Sequence, residues 1–161
     1  MNIITQLNNK LPFINNKIPH INEGGCGIFA SILGEKLTRM GYNPKYFILT
    51  KVNDKLNNTQ TKKFTLDEIH EKIPPYHIVV VLKGYYIDSR GCIKNGHWYC
   101  NGDRLKKGME MSLEQLKEYV KNETYWNNVF NRKKIPKIIK SIENLDKEPR
   151  NYFKNILKLI K

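Results

Sequence analysis

Residues 77–88 read His-Ile-Val-Val-Val-Leu-Lys-Gly-Tyr-Tyr-Ile-Asp. Two β-branched or aromatic runs flank a short turn containing glycine, which is the pattern of a β-hairpin. If Lys83-Gly84 is a two-residue turn, Leu82 pairs with Tyr85, and the remaining register is fixed by counting outward. Val79 then faces Asp88, and His77 points to the same side as Val79 because side chains alternate along a strand. His77 and Asp88 become diagonal neighbours, roughly 7–8 Å apart at the backbone and within side-chain reach. A three-residue loop would put them on opposite faces.

Outward from this hairpin, the pattern alternates between helix and strand. Upstream, Ile28, Phe29, Ile32, Leu33, Leu37 and Met40 form one apolar stripe, so residues 27–40 read as a helix with Gly41 as its stop. Lys45–Thr50 is a compact strand-like run, and 51–63 is polar and read as loop. Thr65 and Glu68 suit a capping box for a short helix to about Lys72. Residues 1–23 read as an irregular arm, since Pro12 and Pro19 oppose long helices.

Downstream, 89–108 reads as loops with one strand around His97–Cys100. Ser112 and Gln115 form a second capping box ahead of Leu113, Leu116 and Val120. Two further amphipathic stretches follow, at 136–145 and 149–160. The order predicts an α+β domain over 1–130, with a basic helical tail over 131–161 packed on it.

At 161 residues, the chain is long enough to bury a core without metal or disulfide staples. Its 40% hydrophobic and 11% aromatic content excludes wholesale disorder. No apolar window is long enough for a membrane span, and the first residues offer no signal-peptide core. Three cysteines and no secretory route point to reduced thiols in a cytoplasmic setting, which for a viral or phage protein would be host cytoplasm or virion.

The charge of +13 invites nucleic acid or an acidic protein as partner. Only five of the 28 basic residues are arginine, however, and a Lys- and Asn-heavy chain also fits AT-rich coding, as in a phage, virus or low-GC bacterium. The excess is concentrated in 131–161, with ten basic residues against three acidic ones.

The chemically informative segment is Asn22-Glu23-Gly24-Gly25-Cys26-Gly27-Ile28-Phe29-Ala30. A cysteine at the start of a helix meets unsatisfied backbone N–H groups and the positive end of the helix dipole, which favour thiolate over thiol. The same N–H groups can hold an oxyanion at a carbonyl attacked by that sulfur. Such a nucleophile needs a base. Four histidines compete, His20, His70, His77 and His97, and the hairpin register brings the Asp88 carboxylate to His77. That carboxylate would hold the imidazole tautomer and stabilise its cation.

Gly24-Gly25-Cys26-Gly27-Ile28-Phe29-Ala30 resembles the Gly-x-Cys-x-x-Phe-[Ser/Ala] nucleophile segment of papain-like cysteine peptidases. His77 to Asp88 is similar to the His-strand–turn–strand-Asp segment of the transglutaminase-like and arylamine-acetyltransferase-like members of that superfamily. The resemblance implies a nucleophile helix packed on a small antiparallel sheet, with helices toward the C-terminus. It also implies Cys26 as nucleophile, His77 as general base and acid, and Asp88 as orienting acid, acting on a peptide or protein without a cofactor. Acyl transfer to an amine is the neighbouring activity. Two positions depart from the family pattern. Gly27 stands where an aromatic residue is usual, and His20 occupies the place of the oxyanion-hole Gln, leaving His20 or Asn22 as the candidate donor.

A rival constellation is Cys92, His97, Cys100 and Asp103. Two cysteines and one histidine fall short of the four Cys/His ligands typical of structural zinc, so no metal is expected. The glycines around Cys26 lack the Lys-Ser/Thr of a phosphate-binding loop. The remaining alternative to an enzyme is a basic binding or virion-type module on a degenerate peptidase scaffold, acting through 131–161.

Overall fold

The hairpin forms as its turn residues dictate in the computed structural model, which describes residues 2–22, 24–51, 77–94, 99–100, 103–122, 130–143 and 145. Strands β2 (His77–Leu82) and β3 (Tyr85–Asp88) pair antiparallel through Val80–Ile87, Val81–Tyr86 and Leu82–Tyr85. Lys83 and Gly84 both have positive φ, 52° and 79°, the geometry of a type I′ turn whose twist matches the strands it joins. The two-residue loop therefore holds, and with it the register that brings His77 and Asp88 to one side.

Six antiparallel strands follow the order β4-β3-β2-β1-β6-β5. The other four are β1 (Lys45–Lys51), β4 (Gly91–Lys94), β5 (Tyr99–Cys100) and β6 (Asp103–Met111). Four helices accompany them: α1 (Ile3–Lys17), α2 (Cys26–Arg39), α3 (Leu113–Asn122) and α4 (Ile135–Glu143). The main core lies between helices and sheet. There Phe29, Leu33 and Leu37 of α2 join Ile48, Ile78, Val80, Ile87, Met109 and Met111 of the strands. A smaller cluster of Phe47, Leu49, Val79 and Leu105 is buried separately, with the Lys107 ammonium 4.6 Å from the Phe47 ring.

α2 begins at Cys26 and ends as the sequence predicts. Gly41 and Tyr42 donate backwards to the carbonyls of Thr38 and Leu37, closing the last turn. The capping box of α3 also forms. Ser112 N–H donates to Gln115 Oε1 at 2.9 Å, and Gln115 N–H donates to Ser112 Oγ at 3.1 Å.

Residues 1–23 are not an irregular arm. They contain α1, whose N-cap Asn2 accepts from Thr5 N–H through its side chain. Ile3, Leu7, Leu11 and Ile14 repeat at helical spacing and are buried, while the Asn and Lys residues that break up the run in sequence fall largely on the other face. Pro12 lies inside the helix and is exposed. An internal proline costs about 3 kcal/mol, but each fully buried aliphatic side chain contributes about 1.5–3 kcal/mol. Burial wins by number. Pro19 follows the extended C-cap Ile18, where it cannot interrupt the helix.

The reading of 89–108 as mostly loop also needs correction, since β4 and most of β6 lie there. In β6 the register with β1 shifts between Ile48–Met109 and Leu49–Lys107, leaving Gly108 as the extra residue of a β-bulge. This bulge moves Leu105 and Lys107 out of phase with Met109 and Met111. The alternation that would mark a nine-residue strand is broken in the middle. The proposed helix at 65–72, the strand residues before Tyr99 and the helix at 149–160 lie outside the described residues.

Candidate active site

Three elements converge on one imidazole. β2 supplies His77 at its first residue, β3 supplies Asp88 at its last, and α2 supplies Cys26 at its first turn. His77 Nε2 and Asp88 Oδ2 are 2.7 Å apart, and both side chains are 1% exposed. The Cys26 thiol acts on the same ring as well, favouring its protonated form. Because Nε2 faces the carboxylate, Nδ1 is the nitrogen left to serve the sulfur. Cys26 itself is half-buried rather than sealed in the core.

The local sequence explains why the sulfur sits there. Gly24 has φ +117°, a backbone conformation that side chains with a Cβ rarely adopt. At Gly25 a Cβ would lie 2.7 Å from the Phe130 ring and 2.8 Å from the Ile21 carbonyl oxygen. The chain thus turns into α2 through two positions that only glycine fits. Gly27 is dictated by packing as well. Its Cβ would stand 2.9 Å from Val120 Cγ2 on α3 and 3.1 Å from Ile78 Cδ1 on β2. The aromatic residue usual in the papain-type segment has no space here because α3 occupies it.

The first helical hydrogen bond of α2 runs from Phe29 N–H to the Gly25 carbonyl at 2.9 Å. The N–H groups of Cys26, Gly27 and Ile28 therefore precede the helical ladder, and Gly25 gives them no side-chain cap. Donors at this position can face negative charge that develops beside the sulfur.

Burial alone would keep the His77 imidazole neutral. The hydrogen bond to Asp88 opposes burial, joined by the interactions with Cys26, and together they outweigh it, pushing the ring up to about 9. Burial likewise works against the Asp88 carboxylate, yet bonding to His77 and Arg90 holds it below the usual carboxylate range. The geometry thus favours an imidazolium paired with a carboxylate at neutral pH.

Arg90 is a site residue that the sequence reading missed. Its Nε and Nη2 donate to Asp88 Oδ2 at 2.9 and 2.5 Å, and its backbone N–H donates to Oδ1 at 2.7 Å. Nη2 also approaches His77 Nε2 to 3.3 Å, because two donors converge on one oxygen. The signal in sequence was faint: an arginine two residues beyond the acid, in the Ser89-Arg90 turn between β3 and β4.

Asparagines of α1 brace the surroundings. Asn15 Oδ1 accepts from Asn22 Nδ2 at 2.7 Å and from Ser89 Oγ at 2.9 Å, tying the segment before Cys26 to the turn after Asp88. Asn8 Oδ1 accepts from the Cys92 N–H at 2.7 Å. Of the two expected oxyanion donors, Asn22 is half-buried with its amide engaged by Asn15, whereas His20 is exposed with φ +60°.

Among the described residues no group of three or more His, Cys, Asp and Glu side chains is placed to hold a metal ion, and of the rival set only the Cys92 side chain lies among them. His97 and the side chains of Cys100 and Asp103 lie outside them. Cys92 is half-buried on β4, and burial, reinforced by the negative charge of Asp88, pushes its thiol up to about 12. At the start of the basic tail, Ile138, Ile142 and Leu145 are buried in the main core, while Lys133, Lys137 and Lys140 face outward. No helix among the described residues is long and apolar enough to cross a membrane.

No protein-family model, curated protein or solved structure matches this chain.

Proposed function

We propose that this chain is a papain-like cysteine hydrolase, a peptidase or isopeptidase that works through a thioester acyl-enzyme. The observation that supports this reading is the buried 2.7 Å pairing of His77 with Asp88, with a cysteine at the start of α2 acting on the same ring. Cys26 Sγ, as thiolate, attacks the substrate carbonyl carbon, and the oxygen gains the displaced electron pair. Backbone N–H groups at the start of α2 stabilise that oxyanion. As the tetrahedral intermediate collapses, the C–N bond breaks and the leaving amine takes the proton from His77 Nδ1, leaving a thioester on Cys26. His77 then removes a proton from water, which attacks the thioester and releases the acid and the thiolate. An amine in place of water gives the acyltransferase variant of the same chemistry. A reduced Cys26 is required throughout, so a reducing compartment such as the cytoplasm belongs to this reading.

Cys26 and Cys92, the cysteines whose side chains are described, provide an internal control. With its thiol pushed to about 12, Cys92 carries thiolate in roughly one molecule in 10⁵ at pH 7. Iodoacetamide at pH 7, followed by peptide mapping, should label Cys26 well ahead of Cys92 and faster than free glutathione in the same buffer. Cys26→Ala should remove the fast phase while leaving the unfolding midpoint near that of wild type. Equally slow labelling of both cysteines would overturn the hydrolase.

A second reading, binding of nucleic acid or an acidic protein through 131–161, is favoured by the outward-facing Lys133, Lys137 and Lys140. Deleting the segment would strip Ile138, Ile142 and Leu145 from the core, so charge removal is the cleaner test. Replacing the three lysines with glutamine should flatten the salt dependence of retention on duplex DNA by a slope of up to about 3 in log–log form. An unchanged slope would sink this reading.

A further inference from the structure

We propose that Arg90 is a positioning residue for the proposed cysteine hydrolase, fixing the Asp88 carboxylate so that Oδ2 stays aimed at His77 Nε2 and leaves Nδ1 available to Cys26. The inference rests on that reading of the site. A buried carboxylate held by one imidazole alone retains freedom to rotate its two oxygens. Here both are fixed. Oδ1 takes the Arg90 backbone N–H at 2.7 Å, while Oδ2 takes Nε and Nη2 at 2.9 and 2.5 Å. Because that carboxylate is ionised, the proton between Oδ2 and Nε2 belongs to the ring. With Nε2 protonated, a neutral His77 presents the Nδ1 lone pair, and a protonated His77 presents Nδ1–H.

Arginine suits this task for reasons lysine does not share. Its charge is permanent and its planar fork places two donors on one oxygen. Its side chain is 34% exposed against 1% for Asp88, so a solvated cation anchors a desolvated anion. The turn makes the geometry local. Asp88 pairs with Gly91 across the β3–β4 hairpin, and Arg90 lies in the two-residue connection between them. The groups facing Asp88 are His77 from β2, Arg90 from the turn and Cys92 from β4, and Cys26 of α2 meets it through His77.

The test compares wild type with Arg90→Met and Arg90→Lys. Carbon-detected NMR follows the Asp88 carboxyl from pH 2 to 7, and iodoacetamide labelling of Cys26 is timed over the same range. In Arg90→Met the Asp88 midpoint should rise by about 1 unit or more, as loss of one adjacent cation predicts. The acid limb of Cys26 labelling should rise with it. Arg90→Lys should restore much of the midpoint through its charge, but only part of the labelling rate, because it lacks the fork. An Asp88 midpoint unchanged in Arg90→Met overturns the proposal, and so does a moved midpoint with an unmoved Cys26 profile in an enzyme whose Cys26 is reactive. If wild-type Cys26 reacts no faster than Cys92, the hydrolase reading fails by itself. The Asp88 midpoint then still reports whether Arg90 holds the carboxylate.

Discussion

Asp88→Asn should disable the site and destabilise the fold together, while changing almost nothing in shape. In the native protein the carboxylate is 1% exposed and lies between the His77 ring and the Arg90 guanidinium. An amide keeps the volume and removes the charge. For His77, burial is the largest single influence and it opposes the cation; the hydrogen bond to Asp88 is the largest influence against it. Without the carboxylate, burial prevails and the ring becomes neutral near pH 7. Two donors, Nε2–H and the guanidinium, are then left with a weak acceptor.

Breaking a buried charge pair by removing one partner costs about 3–5 kcal/mol. The lower end is expected here because Arg90 is partly exposed and can turn toward water. For the proposed hydrolase, replacing Asp88 should reduce turnover of a carbonyl substrate by about 10⁴-fold. Denaturant unfolding measures the first effect, and NMR titration of the His77 ring measures the change in its protonation. A variant as stable as wild type, with His77 still charged at pH 7, would mean that Asp88 is not what holds the imidazolium.

What the sequence disclosed follows from which interactions are local. The His77–Asp88 pair was legible because a type I′ turn at Lys83-Gly84 fixes the pairing of its flanks, so parity alone brings the two to one side. The start of α2 was legible for a similar reason, as glycines followed by an apolar stripe mark a helix entry. Other features depended on distant partners. α1 was hidden because a proline penalty is visible in sequence, whereas the burial that outweighs it requires a sheet and other helices to bury against. β6 was hidden because the bulge at Gly108 breaks its alternation. Arg90 and Asn15 were hidden because their roles are set by a two-residue turn and by a helix more than 70 residues away in sequence. The unusual Gly27 found its reason only in Val120 of α3.

Stability should decline on the alkaline side in a way that reports the charge on His77. In the unfolded chain the ring has its ordinary value of 6.5, and in the folded protein it is pushed up to about 9. A group with a raised folded value stabilises fully below its unfolded value and loses that contribution as pH climbs through the folded one. The window is therefore 6.5 to about 9, and the loss across it is about 3 kcal/mol at roughly 1.4 kcal/mol per unit. Asp88 acts with the opposite sign. Held below the usual range, it contributes above its unfolded value of 3.8, and that contribution is lost as acid protonates it. The pair is thus most stabilising between about pH 4 and 6.5.

A chain with charge +13 also repels itself less as lysines begin to deprotonate, which works in the opposite direction to the His77 loss. The informative quantity is accordingly a difference of differences. Urea unfolding at pH 6 and pH 9.5 should show wild type losing about 3 kcal/mol more than His77→Gln over that interval. Asp88→Asn should behave like His77→Gln, since it removes the partner rather than the ring. If all three proteins change in parallel, the imidazole carries no extra charge in the folded state, and the general acid required at Nδ1 would be missing at neutral pH.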